Sequence, residues 1–278
     1  MDLVRKAAVA GTWYPGNAPA LASAVDAHLA SVTRDVPGDV IALIAPHAGL
    51  SYSGPVAAHA YRLLRDRRFD VAVLVGPSHF VGFQGVAIQA RGGYETPLGI
   101  AAIDQACAGA LMRATPVVHE HPPAHAREHS LEMQLPFLQH LAPTIPIVPL
   151  VVGYQTEETA RTLGDALADV LYGRNALIVA STDLSHYHDA ATAAALDGVV
   201  LDCVTRFDAD ALQAALTARP DHACGGGPAV AVLRAAKLLG ARHARVLHYA
   251  DSGDVSGDKS SVVGYMAAAL GKFTDDAT

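Results

Sequence analysis

Wholly apolar runs alternate with amphipathic segments along most of this chain. Residues 39–45, 70–75 and 176–180 are apolar at nearly every position, which predicts strands buried on both faces of a sheet. Residues 156–171 instead carry leucines at helical spacing behind Thr156, which predicts a capped amphipathic helix. Repeated strand–helix–strand units connect through right-handed crossovers and build parallel sheets. We therefore expect an α/β protein, a three-layer α/β/α sandwich with a mostly parallel central sheet.

The rest of the chain continues the same alternation. Further strands are predicted at 85–89, 145–152, 244–249 and 262–268. Further helices are predicted at 53–64, 104–112, 129–140, 190–207, 208–218 and 228–239. No linker-like segment, low-complexity segment or internal repeat divides the chain, so we expect one domain over residues 1–278.

Composition narrows the class of protein. With 51% hydrophobic and 17% charged residues over 278 positions, the chain is typical of globular proteins with a substantial core. A net charge of −7 and the lack of an extended Lys/Arg cluster argue against nucleic acid as the main partner. The first residues lack the apolar core of a signal peptide, and no apolar run approaches the roughly 18 residues that cross a bilayer. We expect a cytoplasmic protein that does not interact with membranes.

Three histidines and one cysteine occupy similar places after the apolar runs. His47, His79 and His186 each stand where such a run ends in a turn, and Cys224 directly precedes three glycines. Because the carboxyl ends of parallel strands meet at one edge of a sheet, we expect these side chains to lie close together there. Imidazoles and a thiol in one place predict a metal pocket. The alternative for any one histidine is a structural role, in which it satisfies a loop carbonyl.

Other polar residues near these turns are candidates for the same pocket. Asp183, three residues before His186, is predicted either to orient that imidazole or to form an Asx turn. Ser185 belongs to the same turn and is assigned to the pocket. His129 and Glu132 are three apart in a predicted helix and therefore share a face, which favours a role in the pocket behind the metal ligands.

Trp13 and the histidines between residues 119 and 125 are weaker candidates. Trp13, the only tryptophan, is explained by packing or by a place in the pocket wall. The Pro-rich segment that holds His119, His121 and His125 is expected to be an exposed loop with solvated histidines. The chain has no GxGxxG, Walker A, HExxH or GxSxG motif, and its three cysteines are too few and too far apart for a disulfide framework.

Several short motifs resemble those of one known family. They run in order from about Arg5 to Tyr265: AGTWYP at 10–15, PHAG at 46–49, GPSH at 76–79, TPLG at 96–99, EHSLE at 128–132, STDLSH at 181–186, Cys224–Gly225 and SGD at 252–254. On these motifs the chain resembles the MEMO-like family, called AmmeMemoRadiSam system protein B in bacteria.

The resemblance implies a fold and a set of site residues. The family is similar in fold to the class III extradiol ring-cleaving dioxygenases of the LigB type, which use non-haem Fe(II). By position, His47 and His79 resemble the two histidine ligands of those enzymes, and His186 resembles their acid/base histidine, with a fourth ligand as its alternative role. Cys224 stands where the dioxygenases place a carboxylate ligand. A thiolate there makes the site softer and favours Cu or Zn more than a carboxylate would.

The resemblance also sets expectations for function. Fe(II) is the expected cofactor, with Cu or Zn as alternatives, and the expected activity is a dioxygenase-like oxidation of a small substrate. A Zn-dependent hydrolase would need the same ligands, and a binding module that captures a peptide or a small anion without turnover would use the same pocket. The bacterial family name implies an AMMECR-type protein and a radical-SAM protein as partners.

Overall fold

The computed structural model describes residues 4–33 and 36–274, which form two sheets and the helices around them. The strands are β1 Val4–Arg5, β2 Gly38–Ala45, β3 Val71–Pro77, β4 Val86–Ile88, β5 Gly93–Thr96, β6 Gly99–Ala102, β7 Val118–Glu120, β8 Ile147–Val152, β9 Ala176–Ser181, β10 His186–His188, β11 His243–Asp251 and β12 Val262–Phe273. The helices are α1 Ala18–Ser31, α2 Leu50–Tyr61, α3 Gln105–Ala114, α4 Pro122–Ala126, α5 Leu135–Leu141, α6 Glu157–Leu171, α7 Ala190–Thr205, α8 Ala209–Ala218, α9 Gly226–Leu238 and α10 Gly253–Ser256.

The large sheet has the strand order β10-β12-β2-β9-β3-β8-β4-β7, and β11 pairs with β12. Its centre, β2-β9-β3-β8, is parallel throughout, whereas β12 joins β2 and β4 joins β8 in antiparallel pairing. Strands β3 and β8 are buried at every residue, as the apolar sequence of residues 70–75 predicted for β3. A small separate sheet contains β1, β5 and β6.

Helices cover both faces of the large sheet because the chain crosses it in two directions. It moves from β2 past β9 to β3 through α2, and it returns from β8 to β9 through α6. Right-handed crossovers in opposite directions place their helices on opposite faces. Accordingly, α2 packs on β2 and β12 beside α1, whereas α9 packs on β9 and β3 beside α6. The three-layer α/β/α prediction is confirmed. None of the helices in the described ranges is long and apolar enough to span a bilayer.

Two predicted helices differ from the observed ones near their first turns. Helix α2 begins at Leu50, a turn before the predicted start, and the Leu50 N–H donates to Trp13 O at 2.8 Å. The segment 129–140 is not one helix: a 3-10 turn covers 132–134, and α5 begins at Leu135 with Pro136 in its first turn. The predicted shared helical face of residues 129 and 132 therefore does not exist.

The Pro-rich segment after residue 117 is more ordered than its sequence indicated. It forms the edge strand β7 and the short helix α4 instead of a loop. His119 is exposed as expected, but His125 is buried, and its Nδ1 lies 2.6 Å from the Tyr94 hydroxyl. Tertiary packing against β5 is the cause of this burial, which local polarity does not reveal. The short strands β5, β6, β7 and β10, each of four residues or fewer, were not predicted.

Gly264 on β12 leaves no space for a side chain. A Cβ there would lie 1.9 Å from Asp197 Oδ2, and the Asp197 carboxylate is fixed by hydrogen bonds from Ser185 N (2.9 Å) and the Tyr249 hydroxyl (2.8 Å). We predict that Gly264→Ala lowers the free energy of unfolding by about 1–3 kcal/mol, the usual range for overpacking. Chemical denaturation measures this change.

Gly198 provides the matched control, since it adjoins Asp197 in α7 but is exposed. A Cβ at Gly198 would meet nothing within 4 Å. Gly198→Ala should therefore raise the free energy of unfolding by about 0.5–1 kcal/mol, because glycine weakens a helix interior. Equal denaturation midpoints for the unchanged protein and Gly264→Ala would contradict the packing described.

Candidate metal centre

The turns after β2, β3 and β9 bring the site together. His47, His79 and Asp183 each lie two residues beyond the end of their strand, and β9 lies between β2 and β3. Cys224 comes from a different part of the chain, the turn before α9. A Cβ at the following residue, Gly225, would lie 2.4 Å from Ser181 O, so only glycine allows this turn to approach the end of β9 so closely.

Asp183 connects three of these segments. Its Oδ1 accepts hydrogen bonds from His47 N at 2.7 Å and from Ala48 N at 3.3 Å. Its backbone carbonyl accepts from Cys224 N at 3.2 Å, and its own N–H lies 3.3 Å from Cys224 Sγ. The β2 turn and the Cys224 turn are therefore both held against the end of β9.

The ligand atoms of His47, His79 and Cys224 lie within 4.8 Å of one another. Within this cluster, His47 Nε2 and Cys224 Sγ are 3.2 Å apart. A second group shares His79 and adds Glu128 and His129. The structure thus places together the three residues that the sequence assigned to a metal.

Glu128 fixes the ring of His79. Its carboxylate accepts from His79 N at 2.6 Å, from Ser130 N at 2.9 Å and from His79 Nδ1 at 2.8 Å. Burial raises the pKa of Glu128, but the His79 ring and these two N–H groups lower it more, to about 2. Because an ionised carboxylate only accepts hydrogen bonds, His79 Nδ1 carries a proton, and Nε2 is the ring nitrogen left for a metal. This is the common support of a metal-binding imidazole.

A buried hydroxyl fixes His47 in the same way. Ser181 Oγ donates its only proton to Ser130 O at 2.6 Å and accepts from Gln134 Nε2 at 2.7 Å. Its contact with His47 Nδ1 at 2.9 Å must therefore be donated by the ring. His47 Nε2 is left with a lone pair, and this atom is the one beside Cys224.

The site favours neutral imidazoles. Burial, with the charge of His79, lowers the pKa of His47 well below its usual value. Burial, with the charges of His47 and His79, lowers the pKa of His129 to about 4. Both rings are therefore neutral at pH 7, which is the form that binds metals. Burial, with the Asp183 carboxylate, raises the pKa of the Cys224 thiol.

These properties fit a divalent cation. Two imidazole Nε2 atoms and one thiol converge, and a cation would supply the positive charge that a buried thiolate needs. Imidazole suits Fe, Cu and Zn, and a thiolate moves the preference toward the softer of these ions. The donor set therefore selects transition metals over Mg²⁺ or Ca²⁺, which prefer oxygen ligands.

The turn that carries His186 differs from its predicted arrangement. His186 Nδ1 lies 2.8 Å from Leu184 O, so a carbonyl orients this ring, whereas the Asp183 carboxylate holds the β2 turn. His186 is part of neither group of clustered ligand atoms among the described residues, which disfavours its alternative role as a fourth ligand. Ser185 is buried, and its N–H bonds to Asp197 on α7.

Comparison with known proteins identifies the family. The family model described as Memo-like protein matches residues 5–269. This chain belongs to the Memo-like family. MEMO1 family proteins of Methanothermobacter thermautotrophicus and Methanosarcina mazei are 38% and 39% identical to it, over 95% of this chain and over 99% and 98% of their own lengths.

A solved structure shows the same fold. The crystal structure of an uncharacterized protein of Escherichia coli K12 matches this Memo-like chain with a TM-score of 0.57 and 17% identity, over 82% of this chain and 99% of the other. At that identity the likeness concerns the fold alone.

Glu132 has a different task in this Memo-like chain from the one predicted. Its carboxylate, fully buried, accepts from Ala8 N, Val9 N and the Tyr14 hydroxyl at 2.8, 3.0 and 2.6 Å, and it pairs with Arg5 at 2.6 Å. It therefore anchors the N-terminal segment instead of entering the pocket.

The N-terminal segment that Glu132 anchors places Trp13 near the candidate metal centre. The Trp13 ring packs on His129 with centroids 4.3 Å apart, and His129 in turn stacks on His79 at 4.5 Å. Trp13 thus lies beside His129, and His129 lies between Trp13 and the candidate ligand His79.

Three residues that support the candidate ligands were not predicted from the sequence: Glu128, Ser181 and Gln134. Glu128 and Ser181 belong to the recognised motifs EHSLE and STDLSH, and that membership was the available signal. Gln134 belongs to neither motif, and its role depends on contacts between distant segments. Gln134 Nε2 also donates to Pro46 O at 3.0 Å, so one amide supports both the β2 turn and Ser181.

The buried Arg5–Glu132 pair generates a stability prediction. Arg5 also donates to His125 O and Glu128 O, so Arg5→Met leaves the buried Glu132 carboxylate without its cation. We expect a loss of about 3–5 kcal/mol in the free energy of unfolding, measured by denaturation. The control is the neighbouring, exposed Lys6, which pairs with Glu95. Lys6→Met should change stability little, and an equal loss in both variants would refute the assigned role of Glu132.

Proposed function

We propose that this Memo-like protein binds a transition metal, Fe(II) first among the candidates, and uses it in a dioxygenase-like oxidation of a small substrate. This proposal rests on the convergence of His47, His79 and Cys224. Nδ1 of each imidazole is bonded to a neighbouring side chain, Ser181 for His47 and Glu128 for His79, which leaves Nε2 for the metal. The choice of oxidation is supported by the resemblance of these positions to the ligands of extradiol dioxygenases.

Each residue of the site has a distinct task in this proposal. A bound Fe(II) supplies the chemistry with O₂ that side chains lack. His47 and His79 bind through Nε2, and Cys224 binds as a thiolate. His186 is the acid/base group: its Nδ1–H donates to Leu184 O, so Nε2 is the ring nitrogen that would exchange a proton with the substrate.

The surroundings suit a small, flat substrate. Trp13 and Phe80 are 38% and 52% exposed, and both ring systems pack against His129, Phe80 at 5.8 Å between centroids. A cavity of about 610 Å³ lies between the β8–α6 turn, α8 and the start of α9, and Cys224 is the one candidate ligand in its lining. Cavities of this size hold small organic molecules, and this one reaches the site from the Cys224 side.

Loss of a ligand should remove the metal. We predict near-stoichiometric metal after anaerobic loading with Fe(II), and a loss of affinity of at least about 100-fold in His79→Ala and Cys224→Ser, since even residues behind the ligands contribute roughly 10–100-fold. Metal analysis and competition titration measure this.

Two residues of the same types serve as controls for metal binding. His119 is exposed on β7 and Cys203 lies in α7. Neither is near the cluster, so His119→Ala and Cys203→Ser should keep the metal. Unchanged affinity in Cys224→Ser would make Cys224 part of the pocket wall.

Turnover should depend on His186 without affecting metal content. With Fe(II)-loaded protein and catechols as probe substrates, we predict O₂ uptake that falls by roughly 100-fold or more in His186→Asn, as expected for a lost general base. His188→Asn, on the same strand, is the control.

Two results would overturn the proposal of a dioxygenase-like oxidation. If Fe(II)-loaded protein takes up no O₂ with any catechol while Zn-loaded protein hydrolyses p-nitrophenyl acetate, the site is hydrolytic. If neither form turns over and the metal-free protein binds peptides or small anions at this pocket, it is a binding module.

A further inference from the structure

A second cavity lies at the opposite edge of the sheet from the candidate metal centre. It is formed where β2, β3 and β9 begin, and its volume is about 650 Å³. Since these strands are parallel, their first residues meet at one edge and their last residues at the other. The cavity therefore belongs to a different part of the molecule from the His47, His79 and Cys224 cluster.

The lining of this cavity is basic, although the chain as a whole carries a net charge of −7. Arg67 and Arg68 come from the turn before β3, Arg174 from the turn before β9, and Lys272 from β12. Asp39 is the only carboxylate among the lining residues. The sequence showed no extended basic cluster because the fold assembles these cations from three distant segments.

These cations are poorly compensated by the protein itself. Arg174 has an ion pair with Asp104 at 3.3 Å. Within residues 4–33 and 36–274, no carboxylate lies within ion-pair distance of Arg68 or Lys272. Like charges that gather without counter-charges repel each other, so an anion that enters the cavity gains from several of them at once.

The backbone holds two of the cations in a fixed relation. Asp70 N donates to Asn175 O at 2.8 Å, and Asn175 Nδ2 donates to Arg68 O at 2.8 Å. These two hydrogen bonds join the turn of Arg68 to the turn of Arg174. The bases of both side chains are therefore positioned before any ligand binds, which reduces the entropy lost on binding.

Size and chemistry indicate the class of ligand. Arginine and lysine together bind phosphate groups through charge-assisted hydrogen bonds. The volume suits a molecule of nucleotide size, and Phe69 and the largely exposed Tyr172 line the same cavity with aromatic faces. We infer that the cavity at the amino-terminal edge of the sheet is a binding site for a small molecule with two or more phosphate groups, separate from the metal centre.

Titration calorimetry with ATP, pyrophosphate and adenosine tests this inference. On the metal-free protein at low ionic strength, ATP and pyrophosphate should bind saturably, adenosine should not, and added salt should weaken the binding. Arg68→Ala and Lys272→Ala should each weaken ATP binding by roughly tenfold, the usual effect of one lost charge-assisted hydrogen bond.

Arg65→Ala is the matched control. Arg65 is exposed on the same turn as Arg68 but does not line the cavity, so this variant should bind ATP like the unchanged protein. The inference is wrong if ATP and pyrophosphate do not saturate, if adenosine binds as well as ATP, or if Arg65→Ala weakens binding as much as Arg68→Ala.

His79→Ala separates this site from the proposed metal function. ATP binding that survives in this variant supports a separate site, whatever the variant does to metal affinity. ATP binding that is lost in His79→Ala but kept in Arg68→Ala would place the nucleotide at the metal centre and would refute the inference.

Discussion

The hydrogen bonds of Asp183 are the constraint on which the candidate metal centre depends. One carboxylate oxygen holds the turn that carries His47, while the backbone of the same residue holds Cys224. The two candidate ligands are 177 residues apart in sequence, and nothing local relates them. A buried carboxylate that satisfies two backbone N–H groups is costly to disturb, because its removal leaves those donors without partners. Asp183 therefore holds the His47 turn and the Cys224 turn against the end of β9, and this fixes the distance between the imidazole and the thiol.

The two neighbouring carboxylates Glu128 and Glu132 show how burial separates roles within one motif. Glu128 faces the site and fixes the proton of His79, whereas Glu132 faces away and binds Arg5 and the backbone of the N-terminal segment. Both are buried and both have enough donors to remain satisfied. The segment that Glu132 anchors also places Trp13 against His129. Glu128 therefore supports a candidate metal ligand, and Glu132, four positions later, supports the packing of the N-terminal segment.

The two edges of the parallel sheet have opposite electrostatic character. At the carboxyl ends of the strands, burial keeps His47 and His129 neutral, so these imidazoles carry no positive charge. The metal-ligand atoms there are suited to binding a cation. At the amino ends, Arg68, Arg174 and Lys272 gather with little compensation. Both result from the same geometry, since turns at each edge bring together residues from distant segments. The buried strands between them keep the two groups of charges apart.

The sequence by itself determined the layer architecture, the central strands and the three candidate ligands. Apolar runs and helical leucine spacing carry that information locally, and the family motifs carry the ligand positions. Only the tertiary structure decided that Asp183 supports His47 instead of His186, that Glu132 anchors the N-terminal segment, that Ser181 and Gln134 fix a tautomer, and that His125 is buried. The physical reason is common to all four: a polar side chain takes the partner that burial brings within hydrogen-bond distance, and that partner comes from a distant part of the chain.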